Sequence, residues 1–192
     1  MSDCWEMDLS DLTAINDLDK KLLDIGILYP VDLNFAFTSC SIDPSVVTDK
    51  RARNKVGVSE RVMQASLFCV FNGLLPKPMM CLLKMKGEGR THLDLMIVDS
   101  NQNKVAYSLK CNKISLADFE KPIEQAQGYA NHYKMEVQLV NFFLKGQNSP
   151  SVPDDVPEGI VIINVKHNSA CTEFTITLPS DPEYYRKVSI NS

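Results

Sequence analysis

Asp94 stands out first, because it lies inside the apolar run THLDLMIVD, between Leu93 and Leu95. In the following run, KVAYSLKC, Ser108 and Lys110 stand two apart, so on a strand their side chains share one face. The polar stretch Ser100-Asn101-Gln102-Asn103 between the runs reads as a hairpin loop. A hairpin centred near Asn101 puts Asp94 opposite Ser108, and a carboxylate and an ammonium then meet on one face of a two-stranded unit. An ionised group in an apolar strand is costly unless it is paired or bound. The residues alone leave two readings open: a structural Asp94–Lys110 ion pair at a strand end, or a site for a ligand.

Other chemistry is excluded more readily. The chain has no G-x-x-x-x-G-K-[ST] phosphate loop, no G-x-G-x-x-G fingerprint, no H-E-x-x-H and no G-x-S-x-G. His92, His132 and His167 lack metal-ligand spacing and read as surface or strand-edge residues. The six cysteines are scattered, none in a C-x-x-C pair. That usage indicates reduced, mostly buried thiols in an intracellular protein, not a disulfide frame or a zinc site.

The elements that must position Asp94 and Lys110 follow from periodicity. Ser59–Leu75 carries Val62, Leu67, Val70, Phe71 and Leu74 as an apolar helical face, ended by Gly73, Pro76 and Pro78. Met79–Lys86 reads as a strand closed by the turn Gly87-Glu88-Gly89, followed by the strands Thr91–Asp99 and Lys104–Cys111. A helix lies within Ser115–Lys134, where Ser115 and Asp118 resemble a capping box. Pro122 disfavours a helix interior, so the main helix is expected from Pro122 to Tyr133, with Ile123, Ala126, Ala130 and Tyr133 inward. Val137–Leu144 is a buried strand, expected to pair in parallel with Lys104–Cys111 because a helix intervenes. Gly146–Gly159 holds three prolines and reads as a surface loop. Ile160–Val165 and Glu173–Leu178 form a terminal strand pair, and the tail after Pro179 is expected to be loosely held. At the other end, Leu12, Ile15, Leu18, Leu22 and Ile25 mark an amphipathic helix over 9–25, followed by a connector with a short strand at Phe35–Phe37. The expected division is an acidic N-terminal helix and connector, 1–54, packed on a domain spanning 55–192.

At 192 residues with 44% hydrophobic and 23% charged side chains, the composition is globular. No apolar run reaches the ~20 residues of a membrane span, and the acidic start MSDCWEMDLSDL lacks the features of a secretory signal. Charge is uneven. Residues 1–50 hold ten acids against three bases, net −7; residues 51–113 hold eleven bases against four acids, net +7. The basic stretch is either a phosphate-binding face or a set of scattered solvated lysines, and charge alone favours the latter.

The order helix, three strands, helix, strand, with Leu93-Asp94 in the second strand and Ser108-Leu109-Lys110 in the third, resembles the PD-(D/E)XK restriction-endonuclease-like superfamily. Glu60, near the start of the preceding helix, matches an acid many members carry there. The helix with Gln125, Gln127 and Tyr129, followed by VQLVNFF, is also similar to members. The resemblance covers about Ser59 to Leu144; within the superfamily it extends weakly to the nuclease-like domains of Crinkler-type proteins. It implies an α/β fold: a restriction-endonuclease-like αβββαβ core, a mixed central sheet flanked by helices, with the N-terminal helix and the C-terminal strand pair added. It further implies that Asp94, Glu60 and the Leu109 carbonyl hold Mg²⁺, while Lys110 positions water and stabilises charge on a phosphate. The departure is Ser108, which stands where the family has Asp or Glu; a neutral hydroxyl is a poor Mg²⁺ ligand.

The expected function is therefore nucleic-acid binding, DNA ahead of RNA, by a nuclease fold degenerate in phosphodiester cleavage: a pseudo-nuclease. One alternative is an active Mg²⁺-dependent endonuclease in which Glu60, or Glu124 on the next helix, replaces the missing acid. Another is a protein-interaction scaffold. The acidic N-terminal segment is a candidate surface for a protein partner, no membrane association is expected, and the location is expected to be nuclear or cytoplasmic.

Overall fold

A computed structural model describes residues 60–75, 78–87, 92–98, 101, 102, 104–168 and 173–189. The expected helix over 9–25, the strand at Phe35–Phe37 and the 1–54 segment lie outside the described residues. The elements are α1 (Glu60–Leu74), β1 (Met80–Lys86), β2 (His92–Val98), β3 (Lys104–Cys111), α2 (Leu116–Tyr133), β4 (Val137–Leu144), β5 (Ile160–His167), β6 (Glu173–Leu178) and β7 (Asp181–Ser189). All seven strands form one sheet, in sequence order from β1 to β7. β3–β4 and β4–β5 are parallel, and the other pairs are antiparallel. The fold is thus mixed α/β. Among the described residues no helix is long and apolar enough to cross a membrane.

Alternation along the strands separates two cores. On one face, Met63, Leu67 and Phe71 of α1 pack with Leu95, Tyr107, Leu109, Phe142, Val165 and Phe174. On the other, Phe119, Ala126, Tyr129 and Ala130 of α2 pack with Leu93, Met96, Ala106, Leu139 and Ile162. The central strand β4 is buried along nearly its whole length, as expected of a parallel strand covered on both faces.

Three expectations need correction. The α2 helix starts at Leu116, not at Pro122, which is buried inside it. The Ser115–Asp118 box fixes the start: the Ser115 Oγ accepts from the Asp118 N–H, and the Asp118 carboxylate accepts from the Ser115 N–H at 3.0 Å. Donation from the Ser115 N–H and O–H and from the Ile114 N–H holds the Asp118 carboxyl below its ordinary value. The tail after Pro179 is not loose, for Asp181–Ser189 pairs with β6 as an edge strand; an edge is where a residue such as Pro182 can sit in a sheet. The C-terminal elements are accordingly three strands rather than a pair. The first of them joins β4 in parallel through the long Gly146–Gly159 connection, which crosses over without a helix.

Candidate functional site

The β2–β3 ladder runs from Val98↔Lys104 to Leu95↔Tyr107 and stops. One step on, Asp94 falls opposite Ser108, and its carboxylate takes over the role of a backbone acceptor. The Leu109 N–H donates to Asp94 Oδ2 at 2.8 Å. From α1, Gln64 Nε2 donates to the Asp94 carbonyl at 3.0 Å and to Oδ1 at 3.4 Å. Lys110 Nζ lies 3.9 Å from Asp94 Oδ2, while it donates to Ser108 Oγ and to the Leu109 carbonyl, each at 3.1 Å. The Asp94 and Lys110 side chains are 24% and 12% exposed, so both are reachable from solvent, whereas Ser108 is wholly buried.

A local irregularity in two strands creates this arrangement. Leu83↔Leu95 and Met85↔Leu93 are paired around position 84, and Lys84 has φ 51°, left-handed backbone within a strand. On either side of the irregularity the alternation slips by one residue. Leu82 and Met85, three apart, pack on the same α2-side core, and so do Leu93 and Met96. In a regular strand residues three apart face opposite ways. The slip swings the Asp94 carboxylate into the gap between β2 and β3.

Burial raises the Asp94 carboxyl above its ordinary value. The Lys110 ammonium and the Leu109 N–H pull it down, the like charge of Glu60 pushes it up and Lys84 pulls it down; burial dominates. An ion pair at 3.9 Å does not offset the desolvation. Cys111, next to Lys110 in the chain, has its thiol pushed up to about 12 by burial, so it stays protonated at neutral pH and is no nucleophile.

The structure brings together Asp94, Ser108, Lys110 and the Leu109 carbonyl. Glu60 is exposed in the first turn of α1, close enough to act on the Asp94 charge. Glu124 is exposed on α2. Gln64 and Lys84 were not singled out by the sequence. Neither had a signal in the sequence: the burial of Gln64 shows only in the structure.

The donor set fits a divalent cation poorly. Among the described residues no three His, Cys, Asp or Glu side chains converge on a point. Both Asp94 oxygens already accept hydrogen bonds, and the Leu109 carbonyl accepts from Lys110. What the site offers instead is a partly exposed ammonium and a partly exposed carboxylate at the end of a sheet.

No family model and no curated protein matches the chain. Among solved structures it is similar to a repair endonuclease from Pyrococcus abyssi, at 17% identity over 56% of this chain and 47% of that one, TM-score 0.33. An EndoMS–dsDNA complex is similar at 19% identity over 54% and 41%, TM-score 0.32. SfsA from Pyrococcus furiosus, in complex with Ca²⁺, is similar at 10% identity over 73% and 69%, TM-score 0.36. The chain spans less than half the length of the first two. At TM-scores below 0.5 none of the three bears on what this chain does.

Proposed function

We propose that the chain is a restriction-endonuclease-like αβββαβ protein that binds nucleic acid at the Asp94–Lys110 end of its sheet and does not support Mg²⁺-dependent cleavage. The observation that carries the second half is Ser108. It occupies the position of the missing acid, is fully buried, and its hydroxyl is held by Lys110. Among the described residues beside Lys110, Asp94 is the one carboxylate, the lower limit of the one or two that Mg²⁺ sites use, and both of its oxygens already accept hydrogen bonds. The first half is supported by the Lys110 ammonium, whose side chain is partly exposed, and by the net charge of +7 over residues 51–113. DNA is preferred over RNA as the ligand.

In the alternative, Glu60 in the first turn of α1 supplies the second carboxylate. Cleavage of plasmid and single-stranded substrates across a Mg²⁺ and Mn²⁺ titration separates the two. The wild-type protein, Asp94→Ala, Lys110→Ala, Glu60→Ala and Ser108→Glu are compared. The proposal expects no wild-type cleavage, salt-dependent binding that weakens in Lys110→Ala, and gain of cleavage in Ser108→Glu. Wild-type cutting abolished by both Asp94→Ala and Glu60→Ala establishes the relocated acid instead. Absence of binding to DNA or RNA at low salt leaves a protein-interaction scaffold.

A further inference from the structure

A second concave surface lies on the same sheet face as α2, beyond the edge of that helix. Alternation puts Phe174 and Ile176 of β6 into the α1-side core and turns Thr175 and Thr177 the other way. The strand register then builds two cross-strand rows on this face. One is Asn164↔Thr177↔Tyr185, and the next is Lys166↔Thr175↔Lys187. These residues line a cavity of about 630 Å³, walled on one side by Ser149, Pro150 and Val152. Lys145, Lys166 and Lys187 line it, and Glu173 is the one carboxylate among the described lining residues. That carboxylate is held by Lys145 at 2.9 Å, so the cavity carries a formal surplus of two positive charges. Tyr185 is 62% exposed, a large apolar ring turned to solvent.

We propose that this cavity binds a single-stranded segment of nucleic acid, an inference that rests on the nucleic-acid reading above. Lys166 and Lys187 stand two strand spacings apart, about 10 Å, with the Thr175 hydroxyl between them. That row suits phosphate oxygens. The adjacent row offers a hydroxyl and an exposed aromatic ring, groups that take a sugar or base edge and stack a base. The volume is that of a pocket for a drug-sized molecule, which accommodates a nucleotide of one strand and not the width of a duplex. The cavity also adjoins the Asp94–Lys110 end across neighbouring strands. Asn164 pairs in register with Asn141, and Asn141 with Lys110. The cavity wall is tied to the chain leaving β3 by the Ser151 N–H donating to the Ile114 carbonyl at 2.8 Å.

The test is the anisotropy of a fluorescent oligothymidylate and of a duplex of equal length, titrated with the full chain over a range of salt concentrations. The variants are Lys166→Ala/Lys187→Ala, Tyr185→Ala, Lys110→Ala and, as a control of equal charge loss on exposed positions of α2 and its cap, Lys121→Ala/Lys134→Ala. Thermal melting checks that each is folded. Losing two phosphate contacts on a single strand should weaken binding about tenfold and shallow the log–log salt slope by about 1.4, ~0.7 per contact. Tyr185→Ala should weaken single-strand binding with the slope unchanged. The control double variant should leave both alone. If Lys166→Ala/Lys187→Ala behaves as the control does, these are solvated surface lysines and the inference is wrong; a loss confined to Lys110→Ala then still supports the proposed function. Loss in the double variant with Lys110→Ala unaffected supports the cavity and removes the Lys110 end from binding. Wild-type protein that binds neither probe at low salt refutes both.

Discussion

Asn141–Asn164 and Asp94–Lys110 are both polar pairs set into the sheet, and the protein treats them in opposite ways. Asn141 is fully buried, and its hydrogen-bonding groups are used. Its Nδ2 donates to Asn164 Oδ1 at 3.1 Å and to the Lys113 carbonyl at 2.9 Å, and its Oδ1 accepts from the Lys113 N–H at 3.1 Å. The β4–β5 register is unbroken across the pair. Asp94 sits instead where a ladder stops, next to a left-handed Lys84, with its ammonium partner at 3.9 Å and its carboxyl raised by burial. The first pair is satisfied and lies in regular backbone; the second is charged, strained and under-compensated. A costly arrangement of that kind marks a candidate functional site.

The comparison breaks most easily at Asn141. Asn141→Leu keeps the approximate volume but leaves the Lys113 N–H and carbonyl and the Asn164 amide without that partner. The expected loss is about 3 kcal/mol, since each buried unsatisfied polar group costs ~1–3 kcal/mol. Urea unfolding should show a lower midpoint with an unchanged m-value; a loss well under ~1 kcal/mol means the pair does not hold the sheet together.

Asp94→Asn should act in the opposite direction. The carboxyl titrates higher in the folded chain than in the unfolded one, so the folded state takes up the proton first. Its charge therefore opposes folding at neutral pH, and that penalty fades as pH falls toward the ordinary Asp value near ~3.9. The amide oxygen of Asn still accepts from the Leu109 N–H. The variant should be more stable than wild type by about 1 kcal/mol at pH 7, with the margin shrinking toward pH ~4. A structural ion pair would give the reverse, because deleting one partner of a buried pair costs ~3–5 kcal/mol. Melting temperatures of both proteins across pH separate these outcomes.

Much of this contrast was legible from the chain. The apolar runs and their polar break announce the β2–β3 hairpin, and its parity brings Asp94 opposite Ser108 with Lys110 beside them. The valine, leucine and phenylalanine run of β4 announces a strand buried on both faces. The rest lacked a local signal. The β4–β5 crossover carries no helix to betray a parallel pair. Pro182 and the charges of β7 hide its alternation, and Pro122 outweighs a capping box that tertiary structure honours. Gln64 reaches Asp94 across 30 positions of sequence, a contact no spacing rule contains.

Lys84 gives the smallest expected effect and the sharpest one. Four described non-glycine residues have positive φ: Lys84, Gln102, Asn112 and Lys134. Gln102 lies in the β2–β3 turn, Asn112 follows β3, and Lys134 caps α2; Lys84 alone stands inside a strand. Left-handed backbone costs an L-residue with a side chain ~1–2 kcal/mol, and glycine is free of it. Against that, glycine loses more backbone entropy on folding, ~0.5–1 kcal/mol relative to alanine in a strand interior. Lys84→Gly should therefore stabilise the fold by about 0.5 kcal/mol net, while Lys84→Ala, which keeps the strain, should change it little. Since Lys84 also helps hold the Asp94 carboxyl down, both variants should shift the Asp94 titration further upward, measurable by NMR of the side-chain carboxyl. A glycine variant that is less stable than the alanine variant would mean that the slip between Leu83 and Met85 is an ordinary bulge. One that is more stable, with a higher Asp94 titration, means the strand carries the strain to keep a cation beside that carboxylate.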